Sequence, residues 1–111
     1  MNLQEWNNKA ERAMDYLRES EEEYARYRGL MKAIPAREKI VLARLMLESP
    51  ESSAAAKKMW AEASEEFEKI VDESQEIQTE CSLIEAKRER AEKTWETWRS
   101  LNSAMKMGNI T

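Results

Sequence analysis

The residues best equipped for chemistry are acidic. Glu62, Glu65, Glu66, Glu73, Glu76 and Glu80 crowd one stretch of the chain. On a helix, Glu62-x-x-Glu65 and Glu73-x-x-Glu76 set carboxylates one turn apart, the arrangement that can hold a divalent cation. The complementary half of such a site is missing. No Glu-x-x-Asp occurs, and a chain without histidine cannot supply the Glu-x-x-His of di-metal bundles. The same lack of histidine removes the commonest general base, triad partner and zinc ligand. Cys81 is the one cysteine, so a structural zinc site is not expected, and a thiol on an apolar stripe is ordinarily inert packing. Gly29 and Gly108 are isolated, which rules out a phosphate-cradling glycine loop. The expectation is a chain that is not an enzyme, with no catalytic residue, metal or cofactor.

A second cluster joins Trp95 and Trp98 to Lys93, Arg99 and Lys106. Aromatic rings interleaved with cations can stack bases and contact phosphates of a single strand. The net charge of −4 argues against a global nucleic-acid binder. Charge is uneven, however: residues 51–82 carry −6 and residues 83–111 carry +2. Weak nucleic-acid binding would therefore be local to the C-terminal segment. Both tryptophans also occupy an apolar seam, where aromatic residues more often meet protein.

That seam belongs to long helices. Charged residues make up 36% of the 111-residue chain, with only 2 Gly and 2 Pro, the composition of helical rods or coiled coils. The length suits one domain, 1–111. A first helix is predicted over about 2–34, with Asn2 as N-cap and Glu5 in the reciprocal position. Leu3, Trp6, Ala10, Ala13, Leu17, Ser20, Tyr24, Tyr27, Met31 and Ile34 alternate three and four apart, a heptad seam broken only by Ser20. The run "SEEE" at Ser20–Glu23 reads as solvated surface. Pro35 predicts a bend. The following "AREKIVLARLMLES" predicts a second helix over 36–48, so apolar all round that it should sit at the centre of the fold. Ser49-Pro50-Glu51 predicts a third start, at 50, and nothing interrupts until Gly108, a natural C-cap residue. The third helix is expected over 50–107. Its seam runs Trp60, Ala63, Phe67, Ile70, Ser74, Ile77, Cys81, Ile84, Arg88, Ala91, Trp95, Trp98, Asn102, Met105.

Helices of these lengths span about 48, 20 and roughly 80 Å. The third is then longer than the other two laid end to end. Its distal seam, with Trp95 and Trp98, is expected to overhang and to be covered by another protein chain. A second copy is the simplest occupant, since symmetric dimers are the commonest oligomers. Antiparallel pairing would set the acidic half of one helix against the basic half of its mate, bringing Trp95 and Trp98 toward Trp60 and Phe67. The predicted oligomer or partner interface is Trp60, Phe67, Ile77, Cys81, Ile84, Arg88, Trp95, Trp98, Asn102 and Met105. Arg88 and Asn102 are the polar seam positions able to fix register.

The N-terminal "MNLQEW" lacks a basic-then-apolar signal, and no apolar run approaches the length of a membrane span. A cytoplasmic protein that does not engage membranes is expected. Asn109-Ile110-Thr111 matches a glycosylation acceptor, which carries little without secretion. The ending "WRSLNSAMKMGNI", with "KAERAMDYLRESEEEYARYRGLMK" and "SSAAAKKMWAEASEEFEKI" before it in the same order, resembles a family of short all-helical phage early-region proteins. Those proteins close on Trp-Arg-Ser, an Asn, two basic residues and Gly-Asn. Here Lys106 alone stands before Gly108-Asn109. The resemblance implies an accessory factor in phage DNA metabolism, acting in the infected host and encoded beside recombination genes. The expected function is a helical adaptor that binds itself and a recombination or replication protein. The alternative is a weak single-strand-binding recombination accessory working through Lys93, Arg99 and Lys106.

Overall fold

Asn2 opens the first helix as the sequence predicts: its side chain accepts a hydrogen bond from the Glu5 N–H at 2.9 Å. The computed structural model describes residues 1–108, so the Asn109-Ile110-Thr111 acceptor motif and the Asn of the Gly-Asn ending lie outside the described residues. The described chain is all-α: α1 (Leu3–Glu19), α2 (Glu21–Glu48), α3 (Ala54–Glu62) and α4 (Glu65–Lys106). Gly108 follows α4 with φ +74°, the left-handed conformation that a glycine adopts without a Cβ penalty.

The helix boundaries differ from the expected 2–34, 36–48 and 50–107 in four places. Pro35 does not end a helix but lies inside α2. It is exposed, so its ring meets no packed neighbour and the missing N–H bond is left on the water side. The seam crosses it in phase, with Ile34 and Leu45 buried and Glu38 and Val41 half-buried between them. The break comes instead at Ser20, which caps α1 and precedes Glu21, Glu22 and Glu23 in the first turn of α2. Carboxylates there are favoured by the positive end of the helix dipole.

The start expected at Pro50 is also displaced. Ser49 accepts from the Glu51 N–H and so closes a turn, while Ser53 takes the N-cap of α3 by accepting from the Ala56 N–H at 3.1 Å. The long third helix is itself interrupted. Ser64 accepts from the Phe67 N–H at 3.2 Å and donates to the Ala61 carbonyl at 2.7 Å, ending α3 and starting α4 together. Ser64→Ala should lower stability by about 1 kcal/mol, read as a melting temperature lower by about 4–8 °C. Ser64→Asp, which keeps the acceptor, should recover most of it. An unchanged melt for Ser64→Ala would show that the break is not held by its cap.

The helices gather into two compact units: Met1–Ala25 with the chain from Ser82 onward, and Arg26–Cys81. In the first, α1 and the distal part of α4 run antiparallel, with Leu17 and Ser20 beside Arg88 and Asn7 beside Trp98. Ala10, Ala13 and Ala91 are buried there with Ile84, and such small side chains permit close helix approach. In the second, Arg37 meets Glu73 and Arg44 meets Glu66, again antiparallel. Its interior holds Ile34, Leu45, Ala61, Ser74 and Cys81. The segment 36–48 is not the enclosed centre that its composition suggests. Leu45 is 3% exposed, but Ile40 is 69% and Leu47 86% exposed.

Candidate functional site

Arg88, a half-buried charge on the seam, is held by two hydrogen bonds. Its Nη1 donates to the Leu17 carbonyl at 2.8 Å and to Ser20 Oγ at 2.7 Å. A continuous helix would give the Leu17 carbonyl to the Glu21 N–H. The break at Ser20 releases that carbonyl, and Arg88 of α4 takes it. A cation at a helix C-terminus is favoured by the dipole as well as by the bond. The guanidinium lies 5.0 Å from the centre of the Tyr24 ring, whose hydroxyl donates to Glu85 at 3.1 Å. Arg88 therefore fixes register within the chain, by bonding backbone and serine rather than a glutamate.

The tryptophans have an intramolecular neighbour too. Trp95 and Trp98 stack at 5.0 Å with 25° between planes, and Trp98 Nε1–H donates to Asn7 Oδ1 at 2.6 Å. Asn7, Ala10 and Met14 of α1 line one hollow with both indoles. The expected overhang of the distal seam does not occur. Its premise was a third helix of roughly 80 Å, whereas α4 has 42 residues, about 63 Å.

Most of the predicted interface residues are accordingly turned inward within their own unit. Cys81 and Ile84 are buried, and Phe67, Ile77, Arg88, Trp95, Trp98 and Asn102 are half-buried. Trp60 and Met105 are each 37% exposed, and Trp60 belongs to α3, a separate helix from the rest of the seam.

The acidic stretch is divided as well. Glu62 ends α3 beside Lys58 at 3.8 Å, while Glu65 begins α4. Glu73 pairs with Arg37 at 3.0 Å, and Glu66 pairs with Arg44. The hydrogen bond and charge of Glu66 raise the Arg44 pKa further above its ordinary value. Asp72, Glu76 and Glu80 stay exposed along one side of α4. Among the described residues no three acidic or thiol side chains form a set that could hold a metal ion.

Of the basic residues named from sequence, Lys93, Arg99 and Lys106 are exposed on α4. The structure instead gathers Lys87 and Arg90 of α4 with Lys9 and Arg12 of α1 along one open groove. Sequence reasoning missed the two N-terminal cations. Their three-residue spacing beside Ala13 was the available signal, but only the antiparallel register of α1 on α4 gives it meaning.

The second unit leaves apolar surface in water. Ile40 and Leu47 are joined there by Met59 at 74% exposed. No helix among the described residues is long and apolar enough to cross a membrane. No protein-family model matches the chain, and no curated protein or solved structure shows significant similarity to it.

Proposed function

We propose that this chain is a non-enzymatic helical interaction protein that associates with a second copy of itself through the apolar side of α2. The observation that carries this reading is the exposure of Ile40 (69%) and Leu47 (86%). They are seven residues apart and so lie on one helix face. Covering a side chain of this size is worth about 1.5–3 kcal/mol. The acidic stretch 51–82 and the basic segment 83–111 give two copies opposite charges to match. The resemblance of the ending to phage early-region proteins extends the proposal to an accessory role in an infected host's cytoplasm. A recombination or replication protein is then the further partner.

Light scattering on purified protein tests the self-association. The expected mass is above that of a monomer at micromolar concentration, and Ile40→Lys/Leu47→Lys should weaken association at least tenfold while leaving the melting temperature unchanged in dilute, monomeric protein. A wild-type monomer throughout would overturn self-association. Affinity capture from infected cells tests the accessory role, with a DNA-metabolism protein expected on the wild-type chain.

A further inference from the structure

Between α1 and the distal part of α4 lies a slot of about 490 Å³, rimmed by Lys9 and Arg12 on one helix and Lys87 and Arg90 on the other. Members of each pair are three residues apart and so share a helix face. All four are exposed, and among the described residues the ion pairs run between other side chains. No carboxylate lines the slot. Its floor is made by Ala13, 7% exposed, and Ala91, 9% exposed. Four cations around one open depression repel each other and attract a polyanion.

We propose that this slot binds a single strand of nucleic acid through its phosphodiester backbone. Guanidinium forks match phosphate oxygens in bidentate fashion, and lysines add mobile point charges. The half-buried Tyr16 also lines the slot and offers a ring on which a base can stack. Stacking on Tyr16 needs an unpaired base, which favours a single strand over a duplex. An acidic protein segment is the competing occupant. Protein partners are held chiefly by large side chains in well-packed, desolvated pockets, whereas this slot is open and rimmed by exposed cations. The slot lies in the first unit, whereas Ile40 and Leu47, which carry the proposed self-association, lie in the second.

Fluorescence anisotropy with labelled oligo-dT and oligo-rU over a range of potassium chloride concentrations tests the assignment. Four phosphate contacts predict a log–log salt slope near −3, from about 0.7 per contact on single strands. Both oligonucleotides should bind, because phosphate is common to them. Lys9→Gln/Arg12→Gln/Lys87→Gln/Arg90→Gln should weaken binding at least tenfold and flatten the slope. The pair Lys87→Gln/Arg90→Gln should give an intermediate loss with an unaltered circular dichroism spectrum. Lys93→Gln/Arg99→Gln, outside the slot, should bind like wild type. Any one of three results overturns the proposal: no wild-type binding at low salt, wild-type affinity in the fourfold variant, or binding of only one oligonucleotide. Displacement by poly-glutamate at equal charge concentration also overturns it, in favour of an acidic protein segment.

Discussion

Arg88→Leu should destabilise this protein by about 2 kcal/mol, lowering the melting temperature by on the order of 10 °C. The seam pattern alone forecasts the opposite sign. Position 88 lies between Ile84 and Ala91 on an apolar stripe, where a charge is a liability and leucine completes the heptad. The structure reverses this because Leu17 O and Ser20 Oγ depend on the guanidinium. Leucine would leave the carbonyl of half-buried Leu17 and the hydroxyl of Ser20, a residue only 6% exposed, without their charged donor. Each such loss costs about 1–3 kcal/mol, against roughly 1 kcal/mol gained from added apolar burial. Arg88→Lys should fall between, since one ammonium can serve one acceptor well but lacks the planar fork. Thermal and urea unfolding followed by circular dichroism decides the sign. A leucine variant more stable than wild type would show that the stripe outweighs the capping role.

The contrast marks where sequence was legible. Heptad phase could be read from Trp6 to Ile34 and along α4, but not in α3, where Ala61 is buried and the seam positions Trp60 and Ala63 are exposed. From Phe67 to Asn102 every seam position is buried or half-buried, and on the N-terminal side the seam passes Pro35 without losing phase. Helix ends were less legible because two signals competed. Proline carries a strong local penalty, yet an exposed proline spoils one bond at the surface, and the buried residues Ile34 and Leu45 keep the helix going through it. The actual breaks at Ser20 and Ser64 share a quieter pattern, a serine followed by two glutamates. Serine can satisfy the orphan amides of a new helix, and the glutamates complement its dipole. That pattern at Ser20 passes for solvated surface until Arg88 is seen to occupy the carbonyl released beside it. Contacts of this kind join residues some seventy positions apart and leave no periodic trace.

The candidate sites divide in the same way. Lys93, Arg99 and the tryptophans draw notice because they are neighbours in sequence. Lys9, Arg12, Lys87 and Arg90 become neighbours only when α1 lies antiparallel on α4. The apolar run 36–48 shows the converse. Its composition suggested enclosure on all sides, but one flank meets the chain through Leu45 and another is left to water at Ile40 and Leu47. A helix hydrophobic on more faces than its own chain can cover is a physical reason to look for a second surface.

Trp98→Ala should be the other large loss, about 2–3 kcal/mol, just below the range for truncating a fully buried tryptophan because this indole is only half-buried. Three contributions go together: ring area against α1, the stack on Trp95, and the bond to Asn7. A double-mutant cycle with Asn7→Ala isolates the last. If the bond is made, the combined loss should fall short of the sum of single losses by about 0.5–1.5 kcal/mol. The concentration dependence carries the larger consequence. An indole covered by its own chain makes the loss in melting temperature equal in dilute and concentrated protein, whereas an indole covered by a second chain makes it grow with concentration. The first outcome is expected, because Asn7, Ala10 and Met14 face the tryptophans within one unit of one chain. Self-association that Ile40→Lys/Leu47→Lys weakens and Trp98→Ala leaves intact must run through α2. A loss that scales with concentration would return the tryptophans to the interface and remove the reason for placing it elsewhere.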